Sequence, residues 1–351
     1  MVKANAMKEN EGLRPRWIFD CLAALDSDLL NHSDVIYLES LGQPIVVLNT
    51  AEAAVELLRR RAVNYSDRPR FTLFEVMGWG ATLTFLPFGP QWRMHRKVLQ
   101  TNLSPSKVRQ WHTLQVREAR RAAASMFAPK ASTWRDVLKR FSVAIVLMVS
   151  YGIEVDSDDD EYVKIANDAI YATGNGGLPP VVLSTYFHLL TYRAGCIALA
   201  RHLPNWLIRD WPLKFAREWG WAIRKLHDVP FAEVKAEVDD GIVRKSLAHQ
   251  LLWDYRLLKM QGMNPSFKLE DIKGASGAVF IAGADTTWAT LAVFMLCMVL
   301  FPEVQDKAQA ELDSVLGPNQ LPNFDDRPRL PYIDLLLHEI FRYDIPLASM
   351  T

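Results

Sequence analysis

The chain has 351 residues, 50% of them hydrophobic and 11% aromatic, with 40 Lys plus Arg against 40 Asp plus Glu and a formal net charge of zero. That composition excludes a disordered chain, a collagen and a disulfide-stapled miniprotein, and the balanced charge argues against nucleic acid as the main partner. Three cysteines, Cys21, Cys196 and Cys297, lie too far apart for CxxC metal spacing and point to a reducing compartment. In chain order, residues 1–30 carry scattered charge and no apolar leader core. The runs Asp34 to Leu38 and Pro44 to Leu48 are short and β-branched around Gly42-Gln43, which predicts a hairpin. Thr50 is placed to cap a helix bearing Ala54, Leu57 and Leu58. Helical periodicity then covers Gln91 to Leu103, Ser106 to Phe127, Thr133 to Val149, Tyr162 to Tyr171, Val181 to Ala200, Leu213 to Asp240, Leu247 to Met260, Leu269 to Leu300, Val304 to Leu316 and Pro331 to Tyr343. Asp285 interrupts the apolar run Gly274 to Phe301, and glycines and prolines break Ala169 to Tyr192, so neither reads as a transmembrane helix. The fold class expected is mainly α with a small N-terminal β-sheet.

Four local patterns carry chemistry. Ala282-Gly283-Ala284-Asp285-Thr286-Thr287 sets an acid and two hydroxyls in an apolar helix, and a buried carboxylate needs a compensating reason. Gly283 either lets a flat ligand approach the backbone or permits a tight helix crossing, and Thr286 can bond back to a carbonyl. Trp92 and Arg96 stand four apart, so an indole donor and a guanidinium fork share one helix face and can converge on a carboxylate, or else belong to a solvated basic helix start. Glu339 and Arg342 form an i, i+3 pair on an apolar helix, which alone carries no chemistry. Leu203 to Trp221 holds four tryptophans among basic residues, suited to peripheral membrane contact or to core packing.

Taken together and in order, these patterns resemble the cytochrome P450 heme-thiolate monooxygenases. The Ala282 to Thr287 run is similar to that family's central helix over the heme, Trp92 with Arg96 to its WxxxR, and Glu339 with Arg342 to its ExxR. Asp34 to Leu48, Tyr65 to Pro69, Pro87 to Pro90, Ala310 to Asp313 and Leu330 to Tyr332 add detail similar to fungal members, and the resemblance covers residues 17–343.

The resemblance implies a single domain over residues 1–351 and heme (iron protoporphyrin IX) as cofactor. It also implies O2, NADPH electrons delivered by a flavoprotein reductase, and insertion of one oxygen atom into a hydrophobic small-molecule substrate, in fungal secondary or xenobiotic metabolism. By the same resemblance Asp285 and Thr286 are the catalytic pair that manages proton delivery. Trp92, Arg96, Gly283 and Ala284 contact the heme, and Glu339 and Arg342 form a structural ion pair that is buried in the family but, without the partner supplied there by a later segment, is expected to be more exposed or incompletely satisfied in this chain. Substrate contacts are expected from the loop between Phe71 and Leu86, from Gly174 to Leu190 and from the helix around Phe280. The family's location is the endoplasmic reticulum membrane; without an anchor, the cytoplasm is the alternative.

The chain reaches Thr351 before the cysteine loop that ligates iron in this family, and no cysteine present has that loop's context. The sequence therefore leads one to expect an incomplete domain with no metal ligand of its own and little or no thiolate-type heme signal. The competing reading is a catalytically dead remnant or a non-enzymatic helical binding protein. Asp156 to Asp160 lacks the glycine and glutamate of a calcium loop and reads as a solvated acidic turn, and His95 and His338 read as surface or supporting residues.

Overall fold

A computed structural model describes residues 33–40, 43–68, 72–128, 133–176, 211–317 and 320–343. The predicted helix Val181 to Ala200, the turn at Gly42, Pro69, most of Leu203 to Trp211, Cys21, Cys196 and the stretch after Tyr343 lie outside the described residues. The chain divides into two compact units, Met1–Leu73 with Gly176–Phe215, and Phe74–Asn175 with Ala216–Thr351.

In the first unit, β1 (Val35–Ser40) pairs antiparallel with β2 (Gln43–Leu48), in a register that sets Val35 opposite Leu48 and Ser40 opposite Gln43. The predicted hairpin is present, with Ile36 buried while its neighbours Val35 and Tyr37 face outward, as strand alternation requires. Thr50 caps α1 (Ala51–Ala54) as expected, its hydroxyl accepting from the Ala53 N–H at 3.3 Å. The helix then widens into a π-helix over Val55–Arg60, followed by α2 (Ala62–Tyr65). Periodicity alone does not announce the π segment. Its Glu56 holds both Arg60 (3.1 Å) and Arg61 (2.9 Å).

The second unit is helical. The short α3 (Thr72–Met77) ends at Gly78, whose φ of 111° lies in the left-handed region that glycine adopts without strain. A single 3-10 turn, Trp79–Ala81, then leads toward α4 (Pro90–Asn102). The one predicted helix from Ser106 to Phe127 is two: α5 (Pro105–Val108) and α6 (His112–Met126), separated by a 3-10 turn at Arg109–Trp111 that turns Trp111 into the interior. Thr133 and Asp136 form a capping box at the start of α7 (Trp134–Tyr151), and Gly152 ends that helix at φ 75°. Next come α8 (Glu161–Gly176), α9 (Trp211–Asp239), α10 (Leu247–Met260), α11 (Leu269–Leu300), α12 (Pro302–Leu316) and α13 (Pro331–Tyr343).

The core of this unit is built around α7 and α11. Leu147 and Tyr151 of α7 and Phe280 of α11 are fully buried, with the Tyr151 and Phe280 rings edge to face at 6.3 Å. Close approach is possible because α11 lacks side chains where neighbours press in. A Cβ on Gly274 would lie 2.1 Å from the Ala81 carbonyl oxygen, one on Gly277 2.4 Å from the His227 ring, and one on Gly283 2.2 Å from Val146 Cγ1. At the base of α13, Glu311 of α12 accepts the Tyr332 N–H (2.9 Å) and the Ile333 N–H (3.0 Å), one carboxylate closing two open donors of a helix start. A buried ion cluster ties α6 to α7: Arg140, 1% exposed, reaches Glu118 at 2.9 Å and Asp158 at 3.2 Å. The acidic turn is thus not wholly solvated; Asp158 serves the interior charge.

By length and composition α11 is long and apolar enough to cross a membrane. Its N-terminal half is enclosed by the neighbours just named, whereas Leu296, Val299 and Leu300 near its end are exposed.

Candidate functional site

The middle of α11 places its polar residues in distinct surroundings. Gly283 faces Val146 of α7, so between the two uses its sequence allowed, the structure displays the tight helix crossing. Ala284 is buried beside it. Asp285 lines a cavity of about 560 Å3 together with Lys139, Asn167, Tyr171, Trp219 and Trp288. Burial pushes the Asp285 carboxyl above the usual carboxylate range, and the Lys139 ammonium offsets part of that push. Lys139 itself stands 5.3 Å over the Trp288 ring. Thr286 donates its hydroxyl hydrogen back to the Ala282 carbonyl at 2.7 Å, the back-bond its position allows, while α11 stays α-helical from Leu269 to Leu300. The oxygen of Thr286 therefore keeps its acceptor capacity.

The basic face lies on α4. Gly89 and Pro90 open this helix, Trp92 is buried to 8% exposure against the Phe88 ring at 5.2 Å, and the Arg96 guanidinium stacks 5.0 Å over the Trp92 indole. Trp92 and Arg96 thus share a face as their spacing requires. Arg96 pairs with no carboxylate among the described residues, so its charge is available to an acidic group.

Glu339 and Arg342 do meet, Arg342 Nε donating to Glu339 at 2.9 Å. The pair is not buried, however: the two side chains are 56% and 73% exposed, because no described residue covers that face of α13. The hydrogen bond from Arg342 holds the Glu339 carboxyl below its usual range, as for a surface pair. Phe280 is fully buried against Tyr151 rather than open to a ligand. Of the tryptophan-rich stretch, Trp219 packs on the Tyr171 ring at 4.7 Å and Trp221 stacks on Trp219 at 5.8 Å. His338 is on the surface, but His95 is fully buried and reaches Asp271 of α11 at 3.1 Å. Sequence reasoning missed this last contact and the Lys139–Trp288 stack. The signal for the first was present in the sequence, since Gln91 and His95 repeat the four-residue spacing of Trp92 and Arg96, and Asp271 sits three residues into its helix.

A family model described as Cytochrome P450 matches residues 31–351. The chain belongs to the cytochrome P450 family. It is 32% identical over 320 residues to a cytochrome P450 monooxygenase of Armillaria gallica, covering 90% of this chain and 60% of that protein. It is 32% identical to cytochrome P450 monooxygenase 98 of Postia placenta, covering 90% and 58%, and 29% identical to a tryptamine 4-monooxygenase of Psilocybe cyanescens, covering 90% and 60%. The chain therefore spans about 60% of the length of these curated P450 relatives. Among solved structures, a zebra fish cytochrome P450 with progesterone superposes with a TM-score of 0.67 at 19% identity, over 94% of this chain and 71% of that one, which places the fold in the family.

The family implies heme, and the donor set of α4 fits the acidic edge of that group. A guanidinium with no described carboxylate partner, set 5.0 Å over a buried indole, suits a carboxylate ligand. For the iron, the described residues include one cysteine, Cys297, and it is buried within α11.

Proposed function

We propose that this P450 chain serves heme-dependent monooxygenation, inserting one oxygen atom of O2 into a hydrophobic organic substrate, with NADPH electrons supplied through a flavoprotein reductase at the endoplasmic reticulum membrane. The observation that carries the reading is the acid and hydroxyl side by side in the middle of α11, Asp285 with its carboxyl pushed up by burial and Thr286 with its hydrogen committed to Ala282. Heme, when bound, supplies the redox centre for oxygen chemistry. Trp92 and Arg96 would hold its propionates. Asp285 would keep and release a proton at its carboxyl oxygens, drawing on the cavity it shares with Lys139. Thr286 would accept a hydrogen bond at Oγ1 and so fix a small polar ligand beside the helix. The apolar and aromatic side chains among those lining the cavity, Val143, Ile170, Tyr171, Trp219 and Trp288, suit an organic substrate of low polarity.

The test is hemin titration of the full chain by absorbance, followed by incubation with NADPH, a reductase and a panel of apolar substrates, scored by mass for the gain of one oxygen atom. Saturable hemin uptake that Arg96→Ala weakens about tenfold or more is expected, since a charge-assisted hydrogen bond is worth about 1.5–3 kcal/mol. Uptake indifferent to Arg96 would remove α4 from the heme site.

A further inference from the structure

The helix that carries Trp92 and Arg96 has a second i, i+4 pair directly beside the first, with His95 fully buried and Gln91 reaching in from the exposed side. Gln91 Nε2 donates to Asp271 Oδ1 at 2.9 Å, and His95 Nε2 meets the same oxygen at 3.1 Å. The other carboxylate oxygen, Oδ2, accepts the Lys268 N–H at 2.8 Å and so caps α11. Burial alone would raise this carboxyl. The hydrogen bonds from Lys268, Gln91 and His95 instead hold it below the usual carboxylate range. Because Oδ1 only accepts, the His95 ring donates from Nε2, and its Nδ1 is left buried with no partner.

Successive residues on a helix are offset by about 100°. Two anchors one turn apart, at 91 and 95, therefore fix not only where α4 touches α11 but also its rotation about its own axis. The adjacent residues of each anchor are Trp92 and Arg96. We infer that Gln91 and His95, joined to Asp271, are positioning residues that set the direction in which the Trp92 and Arg96 face points. One carboxylate holds the basic face of α4 in register with the start of the helix that carries Asp285 and Thr286. What that face holds rests on the heme reading above. The clamp itself does not.

The experiment compares the full chain with His95→Leu, His95→Gln and His95→Asn, using amide hydrogen exchange over residues 90–102 and hemin titration. Glutamine's Nε2 donor can reach Asp271 as the His95 Nε2 does, whereas asparagine's donor is shorter. His95→Leu and His95→Asn should speed exchange in α4 about tenfold, leave α6 unchanged, and weaken hemin binding by a similar factor. His95→Gln should restore both. A residue that merely fills space would give no split between Gln and Asn. If α4 exchange is unchanged in His95→Leu, the clamp is refuted; if exchange rises while hemin affinity holds, the positioning role is refuted. Should the unmodified chain take up no hemin, the heme reading falls alone, and the exchange pattern with its Gln rescue still decides the clamp.

Discussion

Replacing Gly283 with alanine is the sharpest test of how α11 is packed. In an isolated helix the change would help, by about 1 kcal/mol of propensity. Here the new Cβ would fall 2.2 Å from Val146 Cγ1 and 3.2 Å from Val146 Cβ, so α7 and α11 must part or Val146 must turn. Overpacking costs about 1–3 kcal/mol, and a 2.2 Å approach belongs to the upper part of that range, about 2–3 kcal/mol, which exceeds the propensity gain and leaves Gly283→Ala destabilised by roughly 1–2 kcal/mol. Val146→Ala, at a partly buried site, should cost about 1–2 kcal/mol by lost burial. In the double variant the 2.2 Å contact no longer exists, so adding Gly283→Ala to Val146→Ala should be close to neutral. The coupling in the cycle is then about 1–2 kcal/mol, favouring the pair over the sum. Urea unfolding followed by circular dichroism reads all four proteins. A Gly283→Ala chain as stable as the parent, or strictly additive effects, would refute the account and return Gly283 to the role of a gap left for a ligand.

Two further outcomes follow from charge. Asp285 has a folded-state carboxyl raised above its unfolded value of 3.8, so the folded protein binds the extra proton and loses stability as pH rises from about that value through the folded one. Asp285→Asn removes the loss, and its melting temperature should exceed the parent's at neutral pH and converge with it below about pH 4; equal curves at every pH would contradict the burial described. Glu311→Gln keeps the shape of the carboxylate but turns one acceptor into a donor facing an N–H, so α13 should lose about 1–2 kcal/mol of support, visible as faster hydrogen exchange in residues 331–343.

Much of this was legible from residue order alone. The helices Leu247–Met260 and Pro331–Tyr343 stand where the sequence puts them because each has an apolar face, and Leu269–Leu300 does so because an apolar run of that length, free of proline, is too long for a strand. The π segment at Val55–Arg60 and the 3-10 turn at Arg109–Trp111 were hidden, since both depend on how neighbours are seated and not on local propensity. In the site, spacing correctly put Trp92 beside Arg96 and Glu339 beside Arg342. Spacing carries no information about burial, and the second pair proves to be exposed. Nor can it show contacts between distant segments: the meeting of His95 with Asp271 spans 176 positions and is decided by tertiary packing.

The three glycines of α11 also bear on motion. Gly274 and Gly283 are nine residues apart, two and a half turns, and so look out from opposite sides of the helix by about 180°. One is pressed by the backbone at Ala81, the other by Val146, and Gly277 by the imidazole of His227. A helix gripped from opposing directions, with no side chain at the points of grip, can neither roll nor slide without driving a neighbouring Cβ or ring into its own backbone. Any breathing that admits a molecule to the vicinity of Asp285 and Thr286 has to be performed by the segments around α11, with α11 as the stationary wall.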